Sequence, residues 1–527
     1  MSARARRAWI VAIVALAGLL RLAWLGSNPP GTYCDEAAVG YNAFTVETQG
    51  TDEFGARWPL FFRSFGEYKN PVYVYADAPV VAALGLSPFS ARLPAALFGT
   101  ATVLAAILLS EAWFGTEAGL LTGGLLAVSP WHLLLSRVAF EAVSFPLFLA
   151  LGMWQLGIAL ERRSIARSVL AGALLGITPY CYGPAKLVVP VLVAAVLLLR
   201  RDVPRDGRGR EAVLVLLATL ALAAVPLVAL RLRHPEIDSR LGMIGVGSEY
   251  AWKTSLAAQT LARLPNGIAA AIEASRPLRI AWSFVVGYGA HLDPGFLFLW
   301  GDPNDRHGTH NAGLMLPAEA PLFVAGLIAL WRRRAETAAR IVWVWLLAAP
   351  LAPALTLEGL PHAIRMLGGL PAVQMTCALG IPALARAVAP RLRAALATGW
   401  SVSAAASLWV YFVVFPAHSR TAFQASAPAL VRALNAYPER YCEVRVVDGY
   451  ERFHTLWGFY SAASPEAVRQ MEFMNRYRCR VDDPAARLAI ARADRPLARC
   501  AVLATVPGDD RGPGWVLQQC APARSSQ

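Results

Sequence analysis

The chain is predicted to be a polytopic α-helical membrane protein that ends in a small α/β domain. Of its 527 residues, 56% are apolar and 16% are charged, whereas a typical soluble domain carries about 25% charged residues. Apolar runs long enough to cross a bilayer recur at short intervals, and helices satisfy their own backbone polar groups there. The net charge of +14 lies mostly between these runs. It therefore indicates membrane topology and contact with membrane lipids, and we expect no nucleic-acid partner.

Eleven apolar segments are predicted to span the membrane. The first follows Arg4, Arg6 and Arg7 but has no small-residue cleavage site before Asn28, so we expect a retained helix and not a removed signal peptide. The segments lie near residues 8–25, 92–110, 117–135, 140–160, 167–183, 186–200, 212–232, 314–331, 341–357, 366–388 and 396–415.

The orientation of the spans follows from the basic segments between them. Arginine-rich stretches occur at the amino terminus and at 161–163, 200–210, 332–334 and 391–393, and such stretches favour the cytoplasmic side. A further apolar stretch, Pro71 to Leu86, would put the later stretches on the wrong side if it spanned. It is short and contains Asp77 and Pro79. We therefore place it outside, as an interfacial helix.

This count predicts a multi-pass protein of the inner or plasma membrane, with its amino terminus in the cytoplasm and its carboxyl end outside. Residues 1–415 form the transmembrane module, in which the outer loop 26–91 carries interfacial helices. Residues 416–527 form an extracytoplasmic α/β domain, because this tail is polar and contains strand-like and helix-like runs at 443–447, 500–505 and 465–476.

Four of the seven cysteines fall in this tail: Cys442, Cys479, Cys500 and Cys520. An even number in an exported domain indicates two disulfides in one of three connectivities. Pairing of chain neighbours, Cys442 with Cys479 and Cys500 with Cys520, is the arrangement we favour. Free thiols in a cytoplasmic tail are the alternative, and they would require the opposite orientation.

Ionisable residues gather in the segments predicted to lie outside, which suits a substrate with a charged head and a lipid tail. Each has a simpler explanation: Asp35 as N-cap of a helix over 36–48, Glu36 as a first-turn charge, and Lys69 as a snorkelling side chain. The others in these segments are Asp52, Glu53, Arg63, Glu67, Asp302, Asp305, Arg306, His307, His310, Glu358, His362 and Arg365, and the outer ends of spans carry Arg92, Arg137, Glu141, Lys186 and Glu319. The sequence contains no phosphate loop and no dinucleotide fingerprint, so nothing supports nucleotide-using chemistry on the cytoplasmic side, and it contains no HExxH zinc motif.

The order of these segments resembles a known enzyme family. One apolar helix is followed by "PPGTYCDEAAVGYNA", "GTDEFGARWPLFF", "FGEYKNPVYVY" and "LGLSPFSARLPAALFG", and later by "LLAVSPWHLLLSRVAFEA". This resembles GT-C glycosyltransferases of the protein O-mannosyltransferase and lipid A aminoarabinose transferase type. The resemblance is strongest over the first 200 residues, weaker to about residue 390 and absent from the tail.

The resemblance implies transfer of a sugar from a polyprenyl-phosphate donor on the outer membrane face to an unidentified glycan, lipid or protein acceptor. It implies Asp35 as the catalytic carboxylate, and we group the adjacent Glu36 with it. Glu67 and Lys69 match the family's Glu-Lys-Pro stretch, although Tyr68 separates them here. It implies no required cofactor, although some relatives hold a divalent metal. In this chain, Glu67 with His291, His307 or His310 would be the candidate ligands.

Elementary chemistry supports these assignments. A hydroxyl acceptor needs a base, an oxocarbenium-like transition state gains from a nearby carboxylate, and a departing lipid phosphate needs cations. We expect Lys69, Arg365 and Arg306 to bind the donor phosphate, and a single displacement would invert the anomeric centre. The supporting residues are Glu67, Arg92, Arg137, Glu141, His362 and His307. The alternative function is a transporter or flippase for lipid-linked saccharides, which should show internal repeats that this sequence lacks.

Overall fold

The computed structural model describes residues 1–65, 67–235, 239–309, 312–437, 443–446, 452–472, 487–498, 500–509 and 513–520. Within these ranges the chain is mostly helical. The helices of its first half are α1 (Ala3–Leu22), α2 (Cys34–Gln49), α3 (Pro71–Leu84), α4 (Pro88–Phe114), α5 (Thr116–Val128), α6 (Pro130–Leu135), α7 (Ser144–Arg162), α8 (Ile165–Gly176), α9 (Thr178–Cys181), α10 (Ala185–Leu199) and α11 (Gly207–Arg233).

The second half continues in the same way. Its helices are α12 (Ser239–Ile244), α13 (Glu249–Trp252), α14 (Leu256–Leu261), α15 (Asn266–Ala274), α16 (Arg276–Ala290), α17 (Ala320–Arg332), α18 (Thr337–Ala348), α19 (Leu351–Ala354), α20 (Ala372–Ala387), α21 (Pro390–Trp409), α22 (Phe415–His418), α23 (Ala427–Asn435), α24 (Phe453–Ser461) and α25 (Pro465–Glu472).

Strands occur in two places. A short antiparallel hairpin pairs β1 (Phe62–Ser64) with β2 (Glu67–Lys69). The tail holds a four-stranded sheet of β3 (Glu443–Val446), β4 (Arg487–Arg492), β5 (Cys500–Val506) and β6 (Trp515–Cys520), in the order β3-β4-β6-β5. The tail is therefore α/β in content, and β3 and β5 lie where the sequence predicts strands.

Each of the eleven predicted segments coincides with one or more helices. Six helical segments in the described part of the chain are long and apolar enough to cross a membrane: Pro88–Phe114, Glu141–Arg162, Gly207–Arg233, Thr337–Ala354, Leu367–Ala387 and Pro390–His418. Apolar side chains of α11 such as Leu214, Leu222 and Val225 are exposed, as expected where lipid is the solvent. A multi-pass helical membrane protein is thus confirmed, while the count of eleven spans stays a prediction.

The contacts within the chain define two compact units. The first contains Met1–Ala23, Ala95–Ser136 and Glu141–Tyr411, and the second contains Trp24–Pro94, Arg137–Phe140 and Phe412–Gln527. The second unit therefore combines the first large loop with the tail. The predicted division at residue 415 separates segments that pack together in this unit.

Specific contacts join the loop to the tail inside the second unit. The backbone N–H of Cys34 donates to Gln424 at 2.9 Å, and the Tyr460 hydroxyl lies 2.8 Å from that of Thr32. At Gly31, where φ is +76°, an added Cβ would come within 2.3 Å of the Phe423 carbonyl oxygen. Only glycine fits this close approach at a positive φ. The start of α2 is thus held by the tail.

One of the two favoured disulfides is present. Cys500 and Cys520 are joined across the neighbouring strands β5 and β6, as predicted. Cys442 and Cys479 lie outside the described residues. Cys34, Cys181 and Cys377 are buried.

Candidate active site

The predicted catalytic carboxylate lies in the first turn of α2. This helix begins at Cys34, and Tyr33 is its N-cap residue, so Asp35 does not cap it. The Asp35 side chain keeps 30% of its surface exposed, and its Oδ1 lies 2.6 Å from the Lys69 Nζ. Because the Asp35 carboxylate is partly exposed and the helix start is held in place, this side chain can reach the proton of a substrate.

The hairpin β1–β2 brings a second carboxylate to the same lysine. Glu67 and Lys69 are two residues apart in β2 and so share one face of the strand. The Lys69 Nζ donates to Glu67 Oε1 at 3.3 Å, and the lysine side chain is only 11% exposed. Lys69 therefore joins Asp35 to Glu67, and an incoming anion would meet a lysine that is already positioned.

The tail adds groups to this site that the sequence did not predict. The Lys69 Nζ lies 5.5 Å from the ring centroid of Phe65, and the Arg452 guanidinium carbon lies 5.1 Å from the same centroid. His454 meets Phe65 edge-on at 6.3 Å. Burial, reinforced by the charge of Arg452, lowers the pKa of His454 to about 4. Phe65 thus carries two cations on its ring, beside a histidine that is neutral at pH 7.

Glu36 is placed differently from Asp35. Its side chain and that of Arg92 are fully buried, with Arg92 Nε 2.8 Å from Glu36 Oε1 and Arg92 Nη2 2.9 Å from Oε2. Backbone N–H groups of Tyr33 and Ala139 donate to the same carboxylate at 3.1 and 3.0 Å. Four donors occupy its two oxygens, so Glu36 orients the start of α2 and does not face a substrate.

The two predicted supporting arginines of the second unit are structural cations. Arg92 also donates to the carbonyl oxygens of Leu25, Pro29 and Gly31 at 3.3, 2.8 and 2.8 Å. Arg137 is fully buried, donates to the Asn28 carbonyl oxygen at 3.0 Å and lies 5.0 Å from the Phe412 ring centroid. Together they fix the loop that leads into α2, which indirectly positions Asp35.

The remaining predicted site residues belong to the first unit. Arg365 is 8% exposed and donates to the Thr356 hydroxyl at 2.9 Å and to the Glu358 carbonyl oxygen at 2.7 Å. The backbone and side chain of Arg306 both donate to the Asn304 side-chain oxygen at 3.0 Å. The Glu141 carbonyl oxygen accepts from Ser144 at the start of α7.

Histidines of the first unit converge on one carboxylate. Asp302 is 1% exposed, and its Oδ2 lies 3.2 Å from His307 Nδ1 and 3.9 Å from His362 Nδ1. The two imidazole rings stack with centroids 4.6 Å apart. His310 lies outside the described residues. The sequence named all of these residues but did not predict that they form one cluster.

His291 has no ring nitrogen left for a metal. Its Nδ1 lies 2.7 Å from the Gly287 carbonyl oxygen, and its Nε2 lies 3.0 Å from the backbone nitrogen of His362. Burial lowers the pKa of His291 to about 4, so the ring is neutral, with Nδ1 donating and Nε2 accepting. Of the three histidines considered as partners for a metal on Glu67, this one has a structural role.

Comparisons with known proteins agree on the fold. Residues 69–229 match the family model described as dolichyl-phosphate-mannose-protein mannosyltransferase. The structure of ArnT from Cupriavidus metallidurans bound to undecaprenyl phosphate is 14% identical, covers 97% of this chain and 98% of its own, and has a TM-score of 0.59. Its apo form gives 15% identity, the same coverage and a TM-score of 0.57.

A second solved relative is larger than this chain. The archaeal oligosaccharyltransferase AglB from Archaeoglobus fulgidus, in complex with an inhibitory peptide and a dolichol-phosphate, is 14% identical with a TM-score of 0.52. The match covers 87% of this chain, which spans 64% of the AglB chain. No curated protein matches the sequence. The chain thus has the GT-C fold of these solved membrane proteins, and its residues 69–229 are similar to the mannosyltransferase family.

Proposed function

We propose that this protein is a membrane glycosyltransferase that moves a sugar from a polyprenyl-phosphate carrier to an acceptor hydroxyl outside the cytoplasm, with inversion. The observation that carries the proposal is the Asp35–Lys69–Glu67 arrangement at the buried start of α2. The fold supports it, since the oligosaccharyltransferase AglB is in complex with a dolichol-phosphate and ArnT is bound to undecaprenyl phosphate.

The ion pair at the centre of the site supplies a simple sequence of events. The donor phosphate competes with Asp35 for the Lys69 ammonium, because both are anions within reach of one cation. Asp35 is then free to accept the proton of the acceptor hydroxyl. The hydroxyl oxygen forms the new bond to the anomeric carbon from the face opposite the phosphate. The old carbon–oxygen bond breaks, and its electron pair leaves on the lipid phosphate.

Each charged group has a task in this scheme. Lys69 and Arg452 stabilise the departing phosphate, and Asp35 also stabilises the positive charge that develops on the sugar ring. Glu67 holds Lys69 when the site is empty. Glu36 and Arg92 position Asp35 without touching the substrate. We retain Arg365 and Arg306 as further candidate phosphate ligands, each tested by substitution with alanine and measurement of the donor KM.

The proposal requires no metal for transfer. Lysine and arginine side chains are sufficient to neutralise a single lipid phosphate. Treatment of the purified protein with a chelator is accordingly expected to leave the transfer rate unchanged. A complete and metal-reversible loss of activity would contradict this part of the proposal.

The deciding experiment offers the purified protein a panel of polyprenyl-phosphate sugars and reads donor cleavage and product mass. We expect one donor class to be consumed with release of polyprenyl phosphate. The control for substitutions at this site is Glu47→Gln, because Glu47 is an exposed acid of α2, the helix that carries Asp35. Movement of a lipid-linked saccharide across vesicles without cleavage of any donor would favour the transporter instead.

A further inference from the structure

We propose that Asp302, His307 and His362 form a binding site for a divalent transition metal of the zinc class. Their ligand atoms lie within 4.8 Å of one another. All three residues lie in the first unit, and Glu67 is not among them. The transfer proposed for Asp35 and Lys69 does not require this ion.

The spacing of the ligand atoms fits such an ion. Ligands about 2.0–2.2 Å from a tetrahedral zinc are about 3.3–3.5 Å from one another. The Asp302 Oδ2 lies 3.2 Å from His307 Nδ1 and 3.9 Å from His362 Nδ1. Since all three ligand atoms lie within 4.8 Å of one another, side-chain movements of roughly an ångström would bring them into a first coordination shell.

The surrounding backbone already orients the ligands. The Asn304 N–H donates to Asp302 Oδ1 at 2.9 Å, and the Ala363 N–H donates to Oδ2 at 2.7 Å. The His362 N–H donates to His291 Nε2 at 3.0 Å. Such outer contacts are what hold metal ligands in place. The Arg365 N–H reaches His362 Nδ1 at 3.5 Å, and a bound ion would replace this long hydrogen bond.

The donor set also selects the ion. Two imidazoles and one carboxylate suit zinc and its neighbours, whereas magnesium and calcium prefer a shell of oxygens. The side chains of Asp302, His307 and His362 are 1%, 11% and 12% exposed, so the site is shielded but open on one side. Three protein ligands leave a fourth position for water or a phosphate oxygen.

The test is metal binding by the full-length protein in detergent, stripped with a chelator and titrated with Zn²⁺ alone or Co²⁺ alone. After this titration, wild type is expected to bind one equivalent of Zn²⁺. With Co²⁺ it should give the visible absorption of a low-coordinate ion. His307→Ala and His362→Ala should weaken binding by more than the about 10–100-fold that loss of an outer-shell partner costs.

Two further variants keep the test sharp. Asp302→Asn retains the oxygen that accepts the Ala363 N–H, while its NH₂ then faces the Asn304 N–H, so its folding is checked by thermal unfolding; the folded variant should still lose the metal. His418→Ala removes an exposed histidine and should bind as wild type does. The proposal fails if wild type retains no Zn²⁺, or if Asp302→Asn and both histidine variants bind it as tightly as His418→Ala. Because the readout is metal content, either failure leaves the proposed transfer reaction standing.

Discussion

Substitution of Glu36 by glutamine should destabilise the second unit strongly, although the two side chains have the same shape. Glu36 Oε1 accepts from Arg92 Nε and the Ala139 N–H, and Oε2 accepts from Arg92 Nη2 and the Tyr33 N–H. In either orientation, the amide NH₂ of the glutamine faces two donors. The substitution also leaves the fully buried Arg92 charge uncompensated.

Removing one partner of a buried pair costs about 3–5 kcal/mol, and we expect a loss of this size in the free energy of unfolding. The assay is denaturant titration of the purified protein in detergent, with Glu47→Gln as the exposed control on the same helix. Transfer activity should fall with the folded fraction, because the start of α2 carries Asp35. If the Glu36 and Glu47 variants unfolded within about 1 kcal/mol of each other, the Glu36–Arg92 pair would not be the clamp described here.

Three further predictions concern the phosphate site, its pH dependence and the topology. Lys69→Ala removes a charge-assisted contact of about 1.5–3 kcal/mol and should raise the donor KM by about 10–150-fold, and Arg452→Ala should raise it less; unchanged donor kinetics would remove both from the site. His454 has a pKa of about 4 in the folded protein and about 6.5 when unfolded. Its contribution to stability, at most about 3 kcal/mol, is therefore present above pH 6.5 and lost as the pH falls toward 4. His454→Phe should reduce the dependence of the thermal unfolding temperature on pH between pH 4 and 6.5, and an unaltered dependence would contradict the assignment. Cysteine at the exposed Arg208 should resist a membrane-impermeant reagent applied from outside and cysteine at Ser464 should react, with wild type as control for native thiols; the reverse pattern would overturn the orientation.

The helices and part of the site could be predicted because their determinants are local. An apolar run in a bilayer has few alternatives to a helix, so all eleven predicted segments are helical. The pairing of Lys69 with Asp35 agrees with the order of motifs in the first loop. The labelled cysteine replaces Arg208 and not its neighbour Gly209, because a Cβ at Gly209 would meet the Val203 carbonyl oxygen.

What the sequence did not predict depends on contacts between distant segments. Arg452 and His454 reach Phe65 only because the tail packs on the first loop. No periodic pattern of apolar residues in the sequence predicts that packing. Asp302 and His362 also lie far apart in the sequence, and they meet only in the folded first unit. The role of Glu36 at the start of the helix could be predicted in part, because Tyr33 and Glu36 have the spacing of a capping box. The buried pair of Glu36 with Arg92 could not be predicted, because Arg92 comes from another helix.

The central claim is that Asp35 is the base of the transfer reaction, and kinetic analysis of Asp35→Asn tests it most directly. The account predicts a loss of about 10²–10⁴-fold in kcat, with donor binding retained, because Lys69 remains and loses its competing anion. Membrane insertion and unfolding should match those of Glu47→Gln, since Asp35 is half-buried and Glu36 holds the helix start. A folded Asp35→Asn protein that turns over at a rate close to wild type would contradict the account.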